Sequence, residues 1–253
     1  MDWKVFLDQA PSGGMTYLGW LASGTMWTLL VSVFAWIIAF TLGSIIGVVR
    51  TTPLRIPRAI ATAYVEIFRN IPLLVQMFLW YFVMPELVPK AVGDWIKQDL
   101  PTFVELPFAQ FSMWEFIAAV LCLGLYTASR VAEQVRAGIL SLPRGQTNAG
   151  LAMGFTLPQV YRHVLLPMAF RLIIPPMTSE FLTIFKNSST ALTIGVIELT
   201  AQSRQISEYT FKTFEAFTAA TLIYIVITLT VIFAMRWLEQ RVAVPGFISQ
   251  AGH

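Results

Sequence analysis

Five stretches of the chain are apolar enough and long enough, at roughly 20 residues each, to cross a lipid bilayer as helices. They cover 24–49, 61–84, 113–139, 164–185 and 214–235. Polar connections separate them, and the connections differ in charge. Arg50, Arg55 and Arg58 follow the first stretch, Arg136, Arg144 and Arg162 surround the link between the third and fourth, and Arg236 and Arg241 follow the fifth. The other connections carry Asp2, Asp8, Glu86, Asp94, Asp99 and Glu105, with Lys4, Lys90 and Lys97 as their basic residues. Because arginine and lysine collect on the cytoplasmic side, this alternation predicts an N-terminus outside, a C-terminus inside, and a cytoplasmic link over 136–163. The fourth stretch is interrupted by Pro167, Pro175 and Pro176, so a kinked or broken span is expected there. The connection 85–112, with prolines at 85, 89, 101 and 107 and with Trp95, reads as an external loop holding a short interfacial helix. It is also a surface able to receive an external partner.

Composition strengthens this picture. The chain is 56% hydrophobic and 12% charged, with a mean hydropathy of +0.67, more apolar side chain than a soluble globule of this size can hide. A pI of about 9.1 is not a nucleic-acid signal, because the arginines are dispersed at span ends and form no basic run. Cys122 has no second cysteine to pair with, and one Cys with two His suggests no metal site. The N-terminus lacks the pattern of a cleavable signal peptide, so the first span is expected to direct insertion itself. The organisation expected is an external segment over 1–23, a membrane domain over 24–241 with a loop at about 140–163, and a cytoplasmic tail over 242–253.

Catalytic signatures are lacking. No G-x-x-x-x-G-K-[ST] phosphate loop, G-x-S-x-G elbow or H-E-x-x-H pair occurs, and His163 and His253 are isolated. The chain is therefore expected to bind no ATP or other cofactor and to catalyse nothing itself. The stretch TNAGLAMGFTLPQVYRHVLLP over 147–167 is different. Thr147 or Asn148 can cap a short helix, Gly154 suits the left-handed position past its end, and Thr156 with Pro158 can open the next helix. Ala149, Leu151, Ala152 and Met153 make a small apolar face, which is read either as a partner contact or as part of a plain surface hairpin.

This stretch resembles the cytoplasmic docking loop of permease subunits of ATP-binding-cassette (ABC) importers. The family pattern is Glu-Ala-Ala, a glycine four residues on, an aliphatic residue ten further, then Leu-Pro. Asn148, Ala149 and Gly150 stand at the first three places, and Gly154, Val164, Leu166 and Pro167 fill the others; Asn148 replaces the acid and Gly150 the second alanine. EQVRAG at 133–138, LPRGQ at 142–146 and EIFRNIPLLVQ at 66–76 are similar to the same family, the last to its polar amino-acid branch, although Asn70 stands where that branch often has glycine. The likeness runs from about 24 to 241 and is greatest to permeases of glutamate/aspartate importers. It implies an all-α, five-helix membrane protein of the type I ABC importer permease fold, with a coupling helix formed by Asn148, Ala149, Gly150, Leu151, Ala152, Met153 and Gly154. It further implies two cytoplasmic ATPase subunits that carry ATP and Mg, a second permease subunit expected to be a paralogue, an external solute-binding protein, and a bacterial inner-membrane location.

Ionisable residues inside spans are costly and need partners or a task. Glu66 and Arg69 are three apart, as are Arg130 and Glu133, and Glu133 and Arg136, so structural ion pairs are expected, the last at the root of the docking loop. An acidic amino acid carries two carboxylates and one ammonium. An arginine fork suits a carboxylate and a glutamate suits an ammonium, so Arg130 and Glu180 are candidates to hold substrate, with Lys186, Asn187 and Ser188 adding contacts. The resemblance adds that many relatives have an aromatic residue at the place of Arg130 and most lack an acid at that of Glu180. The equal alternative is that the two charges pair with each other or with Glu133. A permease for another polar amino acid such as glutamine, an ion-coupled secondary transporter, and a membrane scaffold are the rival readings.

Overall fold

The computed structural model describes residues 1–11, 14–100 and 112–242. Among the described residues the chain is helical apart from turns and isolated bridges, one of them between Gln9 and Thr16. The expected tail lies outside the described residues beyond Val242, as does 101–111 of the long connection. The described part of that connection forms short helical turns over Lys90–Asp94 and Trp95–Asp99, with Lys97 ion-paired to Glu86.

Helix α1 spans Tyr17–Val49. It starts earlier than 24 because the Thr16 hydroxyl accepts a hydrogen bond from Gly19 N at 3.3 Å, satisfying one free amide of the first turn. The N-terminal segment folds back on the bundle: Val5, Phe6 and Ala10 are buried with Tyr17, Trp20, Leu21, Leu199 and Ile206. Helix α2 covers Arg55–Asn70 and α3 covers Leu73–Leu87, at 106° to each other. The second apolar stretch is therefore a sharply bent pair of helices and not one straight helix. Pro72 forces its neighbour Ile71 into extended backbone (φ −92°, ψ 129°), which ends α2.

Helix α4 is Met113–Leu140, opened by a Ser112–Glu115 capping box. Helix α5 is Arg144–Ala152, α6 is Leu157–Ile194, α7 is Leu199–Thr210 and α8 is Thr213–Val242. Of the kink or break expected in the fourth stretch, the break does not occur, since α6 runs on over Leu157–Ile194. A π turn over Tyr161–Leu165 precedes Pro167, a wider winding that relaxes the ring's clash with the turn before it. Farther along, Pro175 and Pro176 lie inside the helix, where Ile173, Ile174 and Met177 are buried and hold it in place. Counting the bent pair α2–α3 once, up to five spans are long and apolar enough to cross a membrane.

The centre of the bundle is the pair α1 and α4, packed in parallel. Ala35, Ala39, Gly43 and Gly47, four apart, form a buried stripe on α1. A Cβ on Gly43 would lie 2.7 Å from Ala128 O, and one on Gly47 would lie 2.6 Å from Val135 Cβ. In lipid no hydrophobic effect drives helices together, so close approach through small residues supplies the packing energy. Antiparallel to α4 lies α6, where Gly138 faces Ile173. On the far side, α7 and α8 close against α1 and the N-terminal segment.

Candidate functional site

At the end of the bundle reached by the last turns of α1 and α4 stands a helix–glycine–helix hairpin. Pro143 stops the chain leaving α4, and its fixed φ (−58°) opens α5 directly after it. Thr147 and Asn148 consequently sit inside α5, and neither is the cap that the sequence led us to expect. The end of α5 is as expected. Gly154 has φ +86°, Phe155 N donates to Gly150 O at 3.1 Å, and Gly154 N donates to Leu151 O at 3.0 Å, the paired bonds of a Schellman stop. Pro158 lies in the first turn of α6, and Thr156 N donates to Gln159 Oε1 at 2.8 Å.

The two arms touch through Gly150, which is buried; a Cβ there would come within 2.9 Å of Val160 Cγ2. The side opposite that contact is open. Asn148, Ala149, Leu151, Ala152, Met153 and Gly154 are exposed, Met153 by 75%, in contrast to the buried Gly150 between them. An apolar tip offered to water at the end of a well-capped hairpin suits a protein partner.

Its root is braced by charge. Glu133 accepts from Arg50 Nη1 at 2.6 Å and from Arg136 Nη2 at 2.6 Å, and Arg69 Nη1 lies 3.7 Å away. Tyr161 OH donates to Thr51 O at 2.9 Å, tying α6 to the end of α1. The expected Glu133–Arg136 pair is present, but the expected Glu66–Arg69 pair is not among the described ion pairs. Arg69 turns to Glu133, and Glu66 meets Asn70 Nδ2 at 3.5 Å. Local i,i+3 spacing lost to a carboxylate that the α1–α4 packing places among three arginines.

Deeper in the bundle Arg130 Nε donates to Glu180 Oε2 at 2.7 Å and Nη2 donates to Oε1 at 3.4 Å, a two-point contact between α4 and α6. Arg130 thus pairs with Glu180 and not with Glu133. Gln134 Nε2 adds a contact of 3.5 Å to Glu180, whose side chain is 6% exposed against 40% for Arg130. Lys186 is six residues farther along α6, about 9 Å away along the axis and turned to a different face. It lines a groove between α6, α7 and α8. Asn187 is half-buried, and the buried Ser188 donates its hydroxyl to Phe185 O at 2.8 Å. The structure therefore joins Arg130 to Glu180 but sets Lys186 apart from both.

Sequence reading missed Glu198. It is fully buried and caps α7, accepting from Thr200 N at 2.9 Å, Ala201 N at 2.8 Å and Tyr224 OH at 2.8 Å. The signal available was an acid just ahead of a short amphipathic run, the position of a helix cap.

The comparison with protein families decides between the readings. Residues 39–244 match the model of the binding-protein-dependent transport system inner membrane component. The chain belongs to that family. Over 245 residues, 97% of this permease and 96% of the relative, it is 51% identical to the glutamate/aspartate import permease protein GltJ of Escherichia coli K12. It is 34% identical to the probable glutamine ABC transporter permease protein GlnM of Bacillus subtilis 168, covering 85% of this permease and 89% of that protein. The crystal structure of an amino acid ABC transporter with histidines contains a chain that matches it with a TM-score of 0.73 and 28% identity, over 89% of this permease and 95% of that chain. The permease thus has the all-helical ABC importer permease fold, and its relatives are membrane permeases, not enzymes. The secondary-transporter and scaffold readings lose their support.

Proposed function

We propose that this permease is the membrane subunit of an ATP-driven importer of acidic amino acids, glutamate or aspartate, in a bacterial cytoplasmic membrane, with its N-terminus outside and the hairpin inside. The observation that carries the reading is the hairpin itself. A rigid, doubly capped element with an apolar tip, rooted in α1, α4 and α6 at once, is built to pass a push from a soluble subunit into several spans. Two ATPase subunits carrying ATP and Mg are the partners the reading requires, together with a second permease, taken to be a paralogue, and an external binding protein. The 51% identity to a glutamate/aspartate import permease supports the substrate class.

Arg130 and Glu180 give a chemical account of passage. Each satisfies the other while no substrate is bound, so no buried charge is left bare. A zwitterion brings both partners with it: its carboxylate can replace Glu180 on the guanidinium while its ammonium replaces Arg130 on the carboxylate. For the ammonium and one carboxylate the exchange is charge for charge, while the second carboxylate of glutamate or aspartate adds one negative charge that this pair does not balance. Directional transport then requires that the ATPases favour one arrangement of the bundle over the other, since binding alone shifts nothing.

The test is uptake by proteoliposomes holding the complete transporter. Glutamate accumulation that requires ATP inside, competes with aspartate and survives an uncoupler supports the proposal. Uptake that follows an ion gradient without ATP, or glutamine uptake with no glutamate uptake, contradicts it.

A further inference from the structure

Lys186 needs an account that the Arg130–Glu180 pair does not supply. It is exposed, has no ion pair among the described residues, and lies within the long span α6. An unpaired charge in such a position points to a task. The groove it lines has a volume of about 490 Å³, within the roughly 300–1,000 Å³ of small-molecule sites. Its α8 wall, from Thr221 to Leu229, lies about 12–24 Å along the helix from Thr213, which is membrane depth.

Tyr224 and Thr200 line the same groove as Lys186. Their hydroxyl oxygens are 3.1 Å apart. Behind them is Glu198, buried among backbone amides and hydroxyls. Two of its contacts are backbone amides, which can only donate, and the third is Tyr224 OH. The fourth is Thr28 Oγ1 at 3.5 Å, whose own lone pair accepts from Leu199 N at 3.1 Å. Glu198 thus meets two obligate donors and two hydroxyls. Tyr224 spends its proton on Glu198, so the contact between the two hydroxyls must be made by the proton of Thr200. What these hydroxyls have left is lone pairs.

One part of the groove therefore donates and the other accepts. We propose that it is a second station for an amino-acid zwitterion, separate from Arg130–Glu180 and about 9 Å along α6 from it. Lys186 takes a carboxylate, and the Thr200–Tyr224 oxygens take the ammonium. The inference rests on the reading that this permease carries amino acids. It adds a site to that reading and explains why Lys186 faces away from the pair it was expected to join.

The experiment uses the complete transporter in proteoliposomes and reads two quantities, the ATP hydrolysis stimulated by the loaded binding protein and the glutamate moved per ATP. Lys186→Gln should leave hydrolysis near wild type and lower glutamate per ATP about tenfold, the scale of one charge-assisted hydrogen bond. Lys186→Arg should restore it to within about threefold. Tyr224→Phe, which keeps the ring and removes the hydroxyl, should lower the same ratio severalfold, and it decides the matter should Lys186→Gln fail to assemble. Wild-type glutamate per ATP in Lys186→Gln, with a working wild-type transporter, overturns the second station and leaves the proposed function standing. Equal loss of hydrolysis and uptake in Lys186→Gln and Lys186→Arg also overturns it, because Lys186 would then be structural. A wild-type transporter that moves neither glutamate nor aspartate overturns the proposed function itself.

Discussion

Replacing Glu133 by glutamine should loosen the hairpin end of the bundle more than any single surface charge can. Glu133 is the common acceptor for Arg50, Arg136 and Arg69, at 2.6, 2.6 and 3.7 Å. The three cations differ in how far water can compensate for its loss. Arg69 and Arg136 have side chains 46% and 34% exposed and would be rehydrated, so their contacts are worth a few tenths of a kcal/mol each. The Arg50 side chain is 7% exposed, and without the carboxylate its charge is buried bare. Removing one partner of a buried pair costs about 3–5 kcal/mol, and the quarter exposure of Glu133 reduces this toward about 2–4 kcal/mol. The assay is unfolding of the purified permease in mixed micelles, where the loss reads as a shift of the denaturation midpoint. Adding Arg50→Met should recover most of the loss, because the stranded charge is gone; a double-mutant cycle isolates that term. If Glu133→Gln unfolds at the wild-type midpoint, or if Arg50→Met makes it worse, the clamp is not what holds α1 to α4 at this end.

Three further outcomes follow from the geometry. Gly47→Val should cost about 1–3 kcal/mol in the same micelle assay, because its side chain must enter space held by Val135 Cβ at 2.6 Å; an unchanged midpoint means that α1 and α4 are not in contact there. Arg130→Gln should abolish glutamate uptake and destabilise the bundle by leaving Glu180, 6% exposed, without its cation, whereas Arg130→Gln with Glu180→Gln should regain stability but not uptake. A double variant that transports normally removes the pair from the substrate route. Gly154→Val should uncouple the transporter while leaving the spans folded, since a β-branched residue at φ +86° is strained by about 1–2 kcal/mol and the strain falls on the hairpin; normal ATP-coupled uptake by this variant speaks against a coupling role.

What the sequence could reveal depended on whether a feature is local. Helices α1, α4 and α8 are written in long apolar runs, and the stop at Gly154 and the start at Thr156–Pro158 in single residues whose backbone preferences admit few alternatives. The prolines show the limit. Pro72 breaks its span by fixing Ile71, while Pro175 and Pro176 are carried by the burial of Ile173, Ile174 and Met177, which no local rule records. Arg130 with Glu180 was anticipated as one of two alternatives, because charges inside spans seek each other. Glu66 with Arg69 was not borne out, because the competing acid arrives from another helix. The stripe Ala35, Ala39, Gly43 and Gly47 was present in the sequence as small residues four apart and marks the α1–α4 seam. Helix α7 is too short for a search keyed to spans, and with it Glu198 and the groove were missed.

The most direct test of the account is to ask what touches the hairpin. Cys122 is the single cysteine and is buried, so Cys122→Ser provides a clean background for Met153→Cys. In the assembled transporter, a short thiol cross-linker should join position 153 to an ATPase subunit, and the yield should change when ATP is added. If position 153 instead reacts with an impermeant reagent from outside the cell, or forms no cross-link to an ATPase in a transporter that is active, the hairpin does not transmit the motor's work and the account fails.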